Sequence, residues 1–280
     1  MKTPAIALSF IAALALPALA SPNDAPWQLR YGVGIHDFMV NQVDSTTLGV
    51  NGYFSFGRQY GQLMRFQGNI HVYIDHDKDK LDPDHIPVWF TSDYHISGQW
   101  LQLTAQQSLN WQVELDGRRN TVSSVEKQLR LFPGVEWAYQ DNGWRTELDL
   151  GLGYYFLEID DDVPKERGYN RGDFGNDSLA YTGKIATQIP VNDSLSLTLS
   201  AQQWRNQDEN LENQYKLKLI YQKPSSEPQK HRSNSIIFSI EHQQYNLDPY
   251  AKGDINAADY VAILPWDSDT MIRLSFEMPW

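Results

Sequence analysis

The sequence predicts an all-β fold, an antiparallel transmembrane β-barrel of twelve strands in a single domain. Apolar and polar residues alternate along most of the chain, as in strands with one face in lipid and the other in water. The strand count is even, and short turns alternate with long polar connections. These three observations favour a barrel whose two chain ends lie at the same rim.

Twelve segments carry the alternation, and turn residues or polar loops bound each of them. Several segments are longer than the about 9–11 residues that cross a bilayer, which indicates a wall that projects beyond it. The predicted strands are Trp27–Val40, Thr46–Gly57, Leu63–Ile74, Pro87–Ser97, Gln99–Glu114, Val125–Tyr139, Trp144–Ile159, Ser178–Val191, Ser194–Trp204, Gln214–Gln222, Ser235–Tyr245 and Thr270–Trp280.

The clearest strand runs from Trp144 to Ile159. One face carries leucines between aromatic residues at both ends, and the other face carries charged residues, glycines and one tyrosine. The first face comprises Trp144, Thr146, Leu148, Leu150, Leu152, Tyr154 and Phe156, and the second Arg145, Glu147, Asp149, Gly151, Gly153 and Tyr155. Aromatic residues that bracket an apolar band are typical of a lipid-facing belt.

A second long alternation covers Gln99 to Leu115. Its apolar face is interrupted only at Gln107, and its opposite face is polar throughout. The apolar face comprises Leu101, Leu103, Ala105, Leu109, Trp111, Val113 and Leu115.

The connections between strands differ in length at the two rims. The predicted short turns, mostly rich in Gly, Asn and Asp, lie at Arg58–Gly61, Ser97-Gly98, Asp141–Gly143 and Asn192-Asp193, with a longer Pro-containing turn at Lys223–Asn234. The long polar connections are Asp75–Ile86, Asp160–Asp177 and Asn246–Asp269. Short turns at one rim and long loops at the other are typical of outer-membrane barrels.

The final segment, Met271 to Trp280, has a fully apolar face, which comprises Ile272, Leu274, Phe276, Met278 and Trp280. It resembles the C-terminal targeting strand of Gram-negative outer-membrane β-barrels, in which the last residue is usually Phe. Here Trp280 replaces that Phe, and Met278 stands where Tyr is often found. The resemblance implies an integral outer-membrane protein that the barrel-assembly machinery inserts.

The strand count places the chain in the twelve-stranded class of these barrels, which includes nucleoside-type channels, an outer-membrane phospholipase and autotransporter translocators. Residues 27–280 resemble a solitary autotransporter-type barrel in architecture alone. The class implies a narrow pore or a surface structural protein, with no cargo assigned.

The first twenty residues are expected to be a cleaved signal peptide. Met1-Lys2 is a short positive region, Ala5 to Leu16 is apolar, and Ala18-Leu19-Ala20 is a small-residue cleavage site. The predicted organisation is a signal peptide at 1–20 and a barrel at 21–280. Passage across the inner membrane and residence in the outer membrane of a Gram-negative bacterium follow from it.

Composition excludes several classes of function. The chain has no cysteine, which excludes disulfides, thiolate catalysis and cysteine-ligated zinc. A net charge of −12 argues against nucleic acid as a partner. It also argues against anionic head groups over most of the surface, and it would suit an outer surface in outer-membrane lipid that meets lipopolysaccharide through bridging divalent cations. No cofactor and no metal are predicted.

Assignment of the polar faces to the inside gives a lumen of mixed charge. These side chains either lock into a salt-bridged plug or line a narrow pore, because twelve strands lie between barrels filled by side chains and barrels with open channels. The lumen-lining candidates are Arg30, His36, Arg65, His71, Asp93, His95, Glu126, Arg130, Glu136, Arg145, Glu147, Asp149, Lys184, Lys216, Lys218, Glu241, Arg273 and Glu277.

Two other readings of the chain, a lipid hydrolase and a soluble periplasmic β-barrel, stay open, and a third, a calcium loop, fails. Asp93 and His95 share a strand face, as a lipid hydrolase would need, but no serine is marked out beside them. The acidic stretch from Asp75 begins like a calcium loop but has Lys80 where that loop needs Gly and Ile86 where it needs Glu. A soluble periplasmic β-barrel that binds a ligand would also alternate, with its apolar face turned inward.

Overall fold

Twelve antiparallel strands form a closed barrel in the computed structural model. The structure describes residues 26–40, 45–61, 64–76, 88–120, 125–159, 177–207, 209–222, 233–246 and 266–280. The strands are β1 Gln28–Val40, β2 Ser45–Tyr60, β3 Met64–Asp75, β4 Val88–Gln102, β5 Gln107–Arg119, β6 Val125–Asp141, β7 Trp144–Ile159, β8 Asp177–Asn192, β9 Leu195–Arg205, β10 Asn210–Gln222, β11 Ser235–Asn246 and β12 Trp266–Pro279.

Each strand pairs with its neighbours in sequence, and β1 pairs with β12 to close the ladder. At this seam Arg30 lies opposite Pro279, and the backbone N–H of Trp280 donates to the carbonyl of Leu29 at 2.9 Å. The Trp280 ring also packs edge-on against Tyr31, with 6.0 Å between ring centroids. The all-β prediction and the strand count are therefore confirmed, and the start of β1 lies at the same rim as the end of β12.

The outer wall is apolar and the inner wall is polar. Ile35, Leu150 and Leu179 are 59%, 65% and 71% exposed on the outside, whereas Gln112, Asp149 and Glu212 are buried inside. A soluble barrel turns its apolar residues inward, because water surrounds it. The observed orientation therefore argues against the soluble alternative.

The predicted faces of β7 are confirmed. Leu148, Leu150 and Leu152 are exposed on the outer wall, and Trp144 and Tyr154 lie on that wall at either end of the leucine band. Asp149 and Tyr155 on the alternate positions are buried in the lumen. Both ends of β7 also agree with the predicted bounds.

The predicted boundary between the fourth and fifth strands is wrong. β4 continues through the predicted Ser97-Gly98 turn to Gln102, and β5 begins at Gln107 rather than Gln99. The turn lies at 103–106, where the Thr104 hydroxyl accepts hydrogen bonds from the backbone N–H groups of Gln106 and Gln107 at 3.2 and 3.1 Å. A side chain that satisfies backbone donors in this way replaces the ladder and ends the strand.

The other turns differ from the predictions by a few residues. β2 continues to Tyr60, so its turn begins at Gly61, which has φ of +58°. Between β6 and β7 the two-residue turn Asn142-Gly143 has φ values of 48° and 81°, the left-handed pair of a type I′ hairpin. β10 begins at Asn210 and β12 at Trp266, four residues before the predicted starts.

The difference between the two rims is confirmed in part. At one rim the connections at 61–63, 103–106, 142–143 and 193–194 are short and the one at 223–234 is long. At the other rim the connections at 76–87, 160–176 and 247–265 are long, and those at 41–44, 120–124 and 206–209 are short. We call these the short-turn rim and the long-loop rim. Most residues of the long loops, the acidic stretch after His76 and the predicted signal peptide lie outside the described residues.

Close approach of neighbouring strands requires a glycine on the lumen side of β7. A Cβ atom on Gly153 would lie 1.9 Å from the carbonyl oxygen of Leu131 on β6. A Cβ atom on Gly183 in β8 would have its nearest neighbour, a methyl carbon of Leu150, at 3.8 Å.

We expect Gly153→Ala to destabilise the barrel by about 1–3 kcal/mol, because the backbone must shift to accept the methyl group. Gly183→Ala, the matched control, should leave stability near that of the wild type. Urea unfolding in lipid vesicles, read by tryptophan fluorescence, measures both. Equal stability of the two variants would contradict the close strand approach.

Candidate functional site

Two arginines close the lumen near the long-loop rim. Arg118 projects inward from the end of β5, and Arg130 from the first half of β6. Both guanidinium groups are buried among aromatic rings and hydrogen-bond acceptors from distant strands. We call Arg118, Arg130 and the acceptors they bind the arginine layer.

Arg118 spans the barrel from one wall to the opposite one. Its Nη1 atom donates to the side-chain oxygens of Gln243 and Tyr245 on β11, which lies six strands away in either direction around the barrel. Its Nη2 atom donates to Asp269 Oδ2 on β12 at 2.7 Å. A single side chain reaches these acceptors only if the lumen is narrow at this level.

Arg130 makes a second bridge. Its Nη1 atom donates to Glu212 Oε1 on β10 at 2.9 Å, and its Cζ atom lies 4.3 Å from the ring centroid of Trp204. Gln128 and Tyr155 donate to the other oxygen of Glu212 at 2.5 and 2.8 Å. The Glu212 carboxylate is thus fully engaged, as a buried charge requires.

Aromatic packing fills the wall beside Arg118. Tyr73 and Trp89 stack with 3.9 Å between their centroids, and the Trp89 N–H donates to Asp75 Oδ2 at 2.9 Å. The other oxygen of Asp75 lies 2.6 Å from His36 Nε2. Both side chains of this His–Asp pair are almost completely buried, so solvent does not reach them.

A polar cavity of about 240 Å³ lies against the arginine layer in the middle of the lumen. Lys216 and Lys218 from β10 and Arg273 from β12 line one side, and Asp93 from β4 and Asp116 from β5 line the other. Its volume is slightly below the about 300–1,000 Å³ of typical ligand pockets, so it suits a small solute.

Further ion pairs lie on the inner wall towards the short-turn rim. Lys184 on β8 donates to Glu114 on β5 at 2.5 Å and lies 3.3 Å from Asp149 on β7. Near the short-turn rim, Arg145 pairs with Glu147 on its own strand and lies 3.5 Å from Glu136. Of these pairs, Lys184–Glu114 is the one that joins strands that are not neighbours.

The structure places most predicted lumen residues on the inner wall. Arg30 pairs with Glu277 at the seam, and Arg273 donates to Tyr73 at 2.5 Å and lies 3.5 Å from His71 Nδ1 and from Glu241 Oε2. His95 lies 2.9 Å from Gln112, and Arg65 lies on the inner face of β3 near the short-turn rim. Glu126 sits at an irregularity in the pairing of β6 with β7, where its carboxylate is 3.4 Å from Lys127.

The residues that close the lumen are absent from the candidates predicted from the sequence. Arg118, Glu212 and Asp269 lie outside the predicted strands, because β5 continues beyond Glu114 and β10 and β12 begin four residues before their predicted starts. The sequence of β5 does indicate that the strand continues, because Glu114, Asp116 and Arg118 are alternate residues and extend its polar, inward face.

The described residues do not form a metal centre or a hydrolase triad. No group of three potential ligands among them could hold a metal ion. His95 bonds Gln112, whereas Asp93 accepts from Asn69 at 2.7 Å, so the two residues of the suspected pair have separate partners. No helix in this part of the chain is long and apolar enough to cross a bilayer.

Comparison with known proteins finds solved barrels of related architecture. No family model and no curated protein matches the chain. A KdgM porin in complex with disordered oligogalacturonate is 8% identical over 88% of this chain and 98% of its own, with a TM-score of 0.42.

Two further structures are similar in the same way. The COG4313 outer membrane channel from Pseudomonas putida F1 is 9% identical over 91% and 97% of the two chains, with a TM-score of 0.48. Outer membrane phospholipase A from Escherichia coli is 11% identical over 89% and 92%, with a TM-score of 0.42. All three are outer-membrane barrels. At these identities and TM-scores no residue role, ligand or activity transfers to this chain, whose fold rests on its own closed ladder.

We expect Arg118→Met to destabilise the barrel by roughly 3–5 kcal/mol, because it removes one partner of the buried Arg118–Asp269 ion pair. Adding Asp269→Asn should recover part of that loss, since it removes the negative charge that Arg118 balanced. Urea unfolding of the single and double variants in lipid vesicles measures the coupling. Strictly additive losses would contradict a direct Arg118–Asp269 interaction.

Proposed function

We propose that the chain is an integral outer-membrane barrel that forms a narrow pore, closed in this conformation by the arginine layer. The observation that carries the proposal is the polar mid-lumen cavity, which is blocked on the long-loop side by the hydrogen bonds of Arg118 to β11 and β12. A structural barrel has no need of a charged cavity inside its wall. A pore needs a polar path and a constriction.

The lipid-facing belt supports membrane insertion. Exposed Val, Ile and Leu side chains lie on successive strands of the outer wall, and contiguous apolar surface of this kind marks contact with a membrane or a partner rather than with water. Aromatic residues lie at the end of the belt near the short-turn rim, where the Arg58 guanidinium packs over Trp27 and Tyr60 with Cζ-to-centroid distances of 5.7 and 4.7 Å. Amphipathic rings with a neighbouring cation favour the interfacial zone of a bilayer.

The partners proposed for the outer surface are membrane lipid and lipopolysaccharide. The barrel-assembly machinery is a further proposed partner, which inserts the chain into the membrane. Arg119 and Lys127 lie directly opposite each other on β5 and β6 near the long-loop rim. Lys127 pairs with Glu158 at 2.7 Å, and Arg119 is exposed. Cations at this level favour contact with phosphate-bearing head groups. A signal peptide at 1–20 and delivery to the Gram-negative outer membrane belong to the same proposal.

The hydrolase alternative finds no support in the described geometry. His36 has a carboxylate partner, but both side chains are sealed beneath aromatic rings, where no substrate reaches them. His95 is oriented by an amide rather than a carboxylate. A structural barrel without conduction is the remaining alternative, and the arginine layer itself is the observation that favours it.

We expect the wild-type barrel to show mostly closed current traces in planar bilayers. Arg118→Ser combined with Arg130→Ser should raise the mean conductance several-fold, because both bridges across the lumen are removed. Arg205→Ser is the matched control, because Arg205 lies at the end of β9 on the outer wall. It should leave the current traces unchanged.

The same recordings decide between pore and plug. A double variant that keeps its heat-modifiable gel mobility but conducts no more than the wild type would contradict the pore and favour a structural barrel.

A further inference from the structure

The mid-lumen cavity has charges of opposite sign on opposite walls. Lys216, Lys218 and Arg273 lie on the β10–β12 side, and Asp93 and Asp116 lie on the β4–β5 side. β4 and β10 are six strands apart in either direction, so these two walls face each other across the lumen. We call them the cationic wall and the acidic wall.

Like charges are adjacent on each wall. Asp93 and Asp116 are direct cross-strand partners between β4 and β5, and Lys216 and Lys218 are two residues apart on the same face of β10. Like charges in these positions destabilise a sheet unless a counter-charge is close. The arrangement therefore carries a cost that a bound solute of complementary charge would relieve.

Internal pairing leaves one charge of each wall available. Glu241 lies 3.6 Å from Lys216 and 3.5 Å from Arg273, so it serves both cations. Asp116 lies 3.6 Å from Arg130. Within the described residues Lys218 makes no hydrogen bond and no ion pair, and Asp93 accepts only from the Asn69 amide.

The two other carboxylates that line the cavity already have partners, and one of them, Asp269, accepts from Arg118. Glu277 accepts from Arg30 Nε and, at 3.0 Å, from the Tyr53 hydroxyl. It therefore does not neutralise Lys218 through a direct contact. A cation and an anion on facing walls are left to be matched by something that enters the cavity.

From this geometry we infer that the cavity binds a small zwitterionic solute, whose carboxylate or other oxyanion faces Lys218 and whose ammonium group faces Asp93. A purely anionic solute would satisfy the cationic wall but would meet the two carboxylates of the acidic wall. A purely cationic solute would satisfy the acidic wall but would meet the positive charges of the cationic wall. The inference rests on the proposed pore and names the class of solute that it admits.

The first test compares four small probes of similar size on the purified wild-type barrel in detergent. Calorimetric titration should show that 4-aminobutyrate binds about tenfold or more tightly than butyrate, butylamine or butyramide, because it makes both charge-assisted contacts. Equal affinity of butyrate or butylamine and 4-aminobutyrate would overturn the zwitterion site, as would no binding of any probe.

Two lumen variants assign the contacts. Lys218→Met should reduce the affinity for 4-aminobutyrate to that for butylamine, and Asp93→Asn should reduce it to that for butyrate. Lys127→Met, on the outer wall, is the matched control and should bind like the wild type. Each variant is first checked for heat-modifiable gel mobility. Unchanged selectivity in both folded lumen variants would contradict the assignment.

Bilayer recordings on the same preparations separate this inference from the proposed pore. Conductance without selective binding of 4-aminobutyrate contradicts the zwitterion site alone. Selective binding without conductance in the wild type or the Arg118→Ser/Arg130→Ser variant contradicts the pore and leaves a binding site within a closed barrel.

Discussion

Closure of the hydrogen-bonded ladder between β1 and β12 is the constraint on which the rest of the structure depends. A backbone N–H or C=O in hydrocarbon has no water to bind, so a strand that meets lipid must be paired along both edges. The seam from Arg30 opposite Pro279 to Val40 opposite Asp269 supplies the last of these pairings. Once the sheet is closed, the alternation of each strand decides which side chains meet lipid and which share the lumen.

The same closure forces charged residues from distant parts of the sequence into one narrow space. Arg118 and Gln243 are 125 residues apart, and Arg130 and Glu212 are 82 apart, yet each pair is in contact. In a low-dielectric interior these charges are tolerated only when paired and hydrogen-bonded, which explains the dense network in the arginine layer. In the cavity next to it, Lys218 has no ion-pair partner among the described residues, and this contrast separates the closed part of the lumen from the part suited to a solute.

The presence of the strands and the direction in which their side chains face could be predicted from the sequence, because both depend on the local alternation of apolar and polar residues. β7 was predicted to its ends, since Leu148, Leu150 and Leu152 fall between aromatic residues and the tight turn Asn142-Gly143 precedes the strand. The break between β4 and β5 was missed because Thr104 ends the strand through its side-chain hydroxyl, and no glycine or proline marks the place. Contacts across the lumen could not be predicted, because they depend on tilt and register summed over six strands.

The central claim is that the apolar residues of each strand face lipid and the polar residues that alternate with them face the lumen. The absence of cysteine from the chain allows single cysteines to be placed along β7 and spin-labelled in lipid vesicles. Spin labels at positions 148, 150 and 152 should collide with dissolved oxygen rather than with a water-soluble nickel complex. Spin labels at positions 147, 149 and 151 should collide with the nickel complex rather than with oxygen. Accessibility to the nickel complex that does not alternate between these two sets would contradict the central claim.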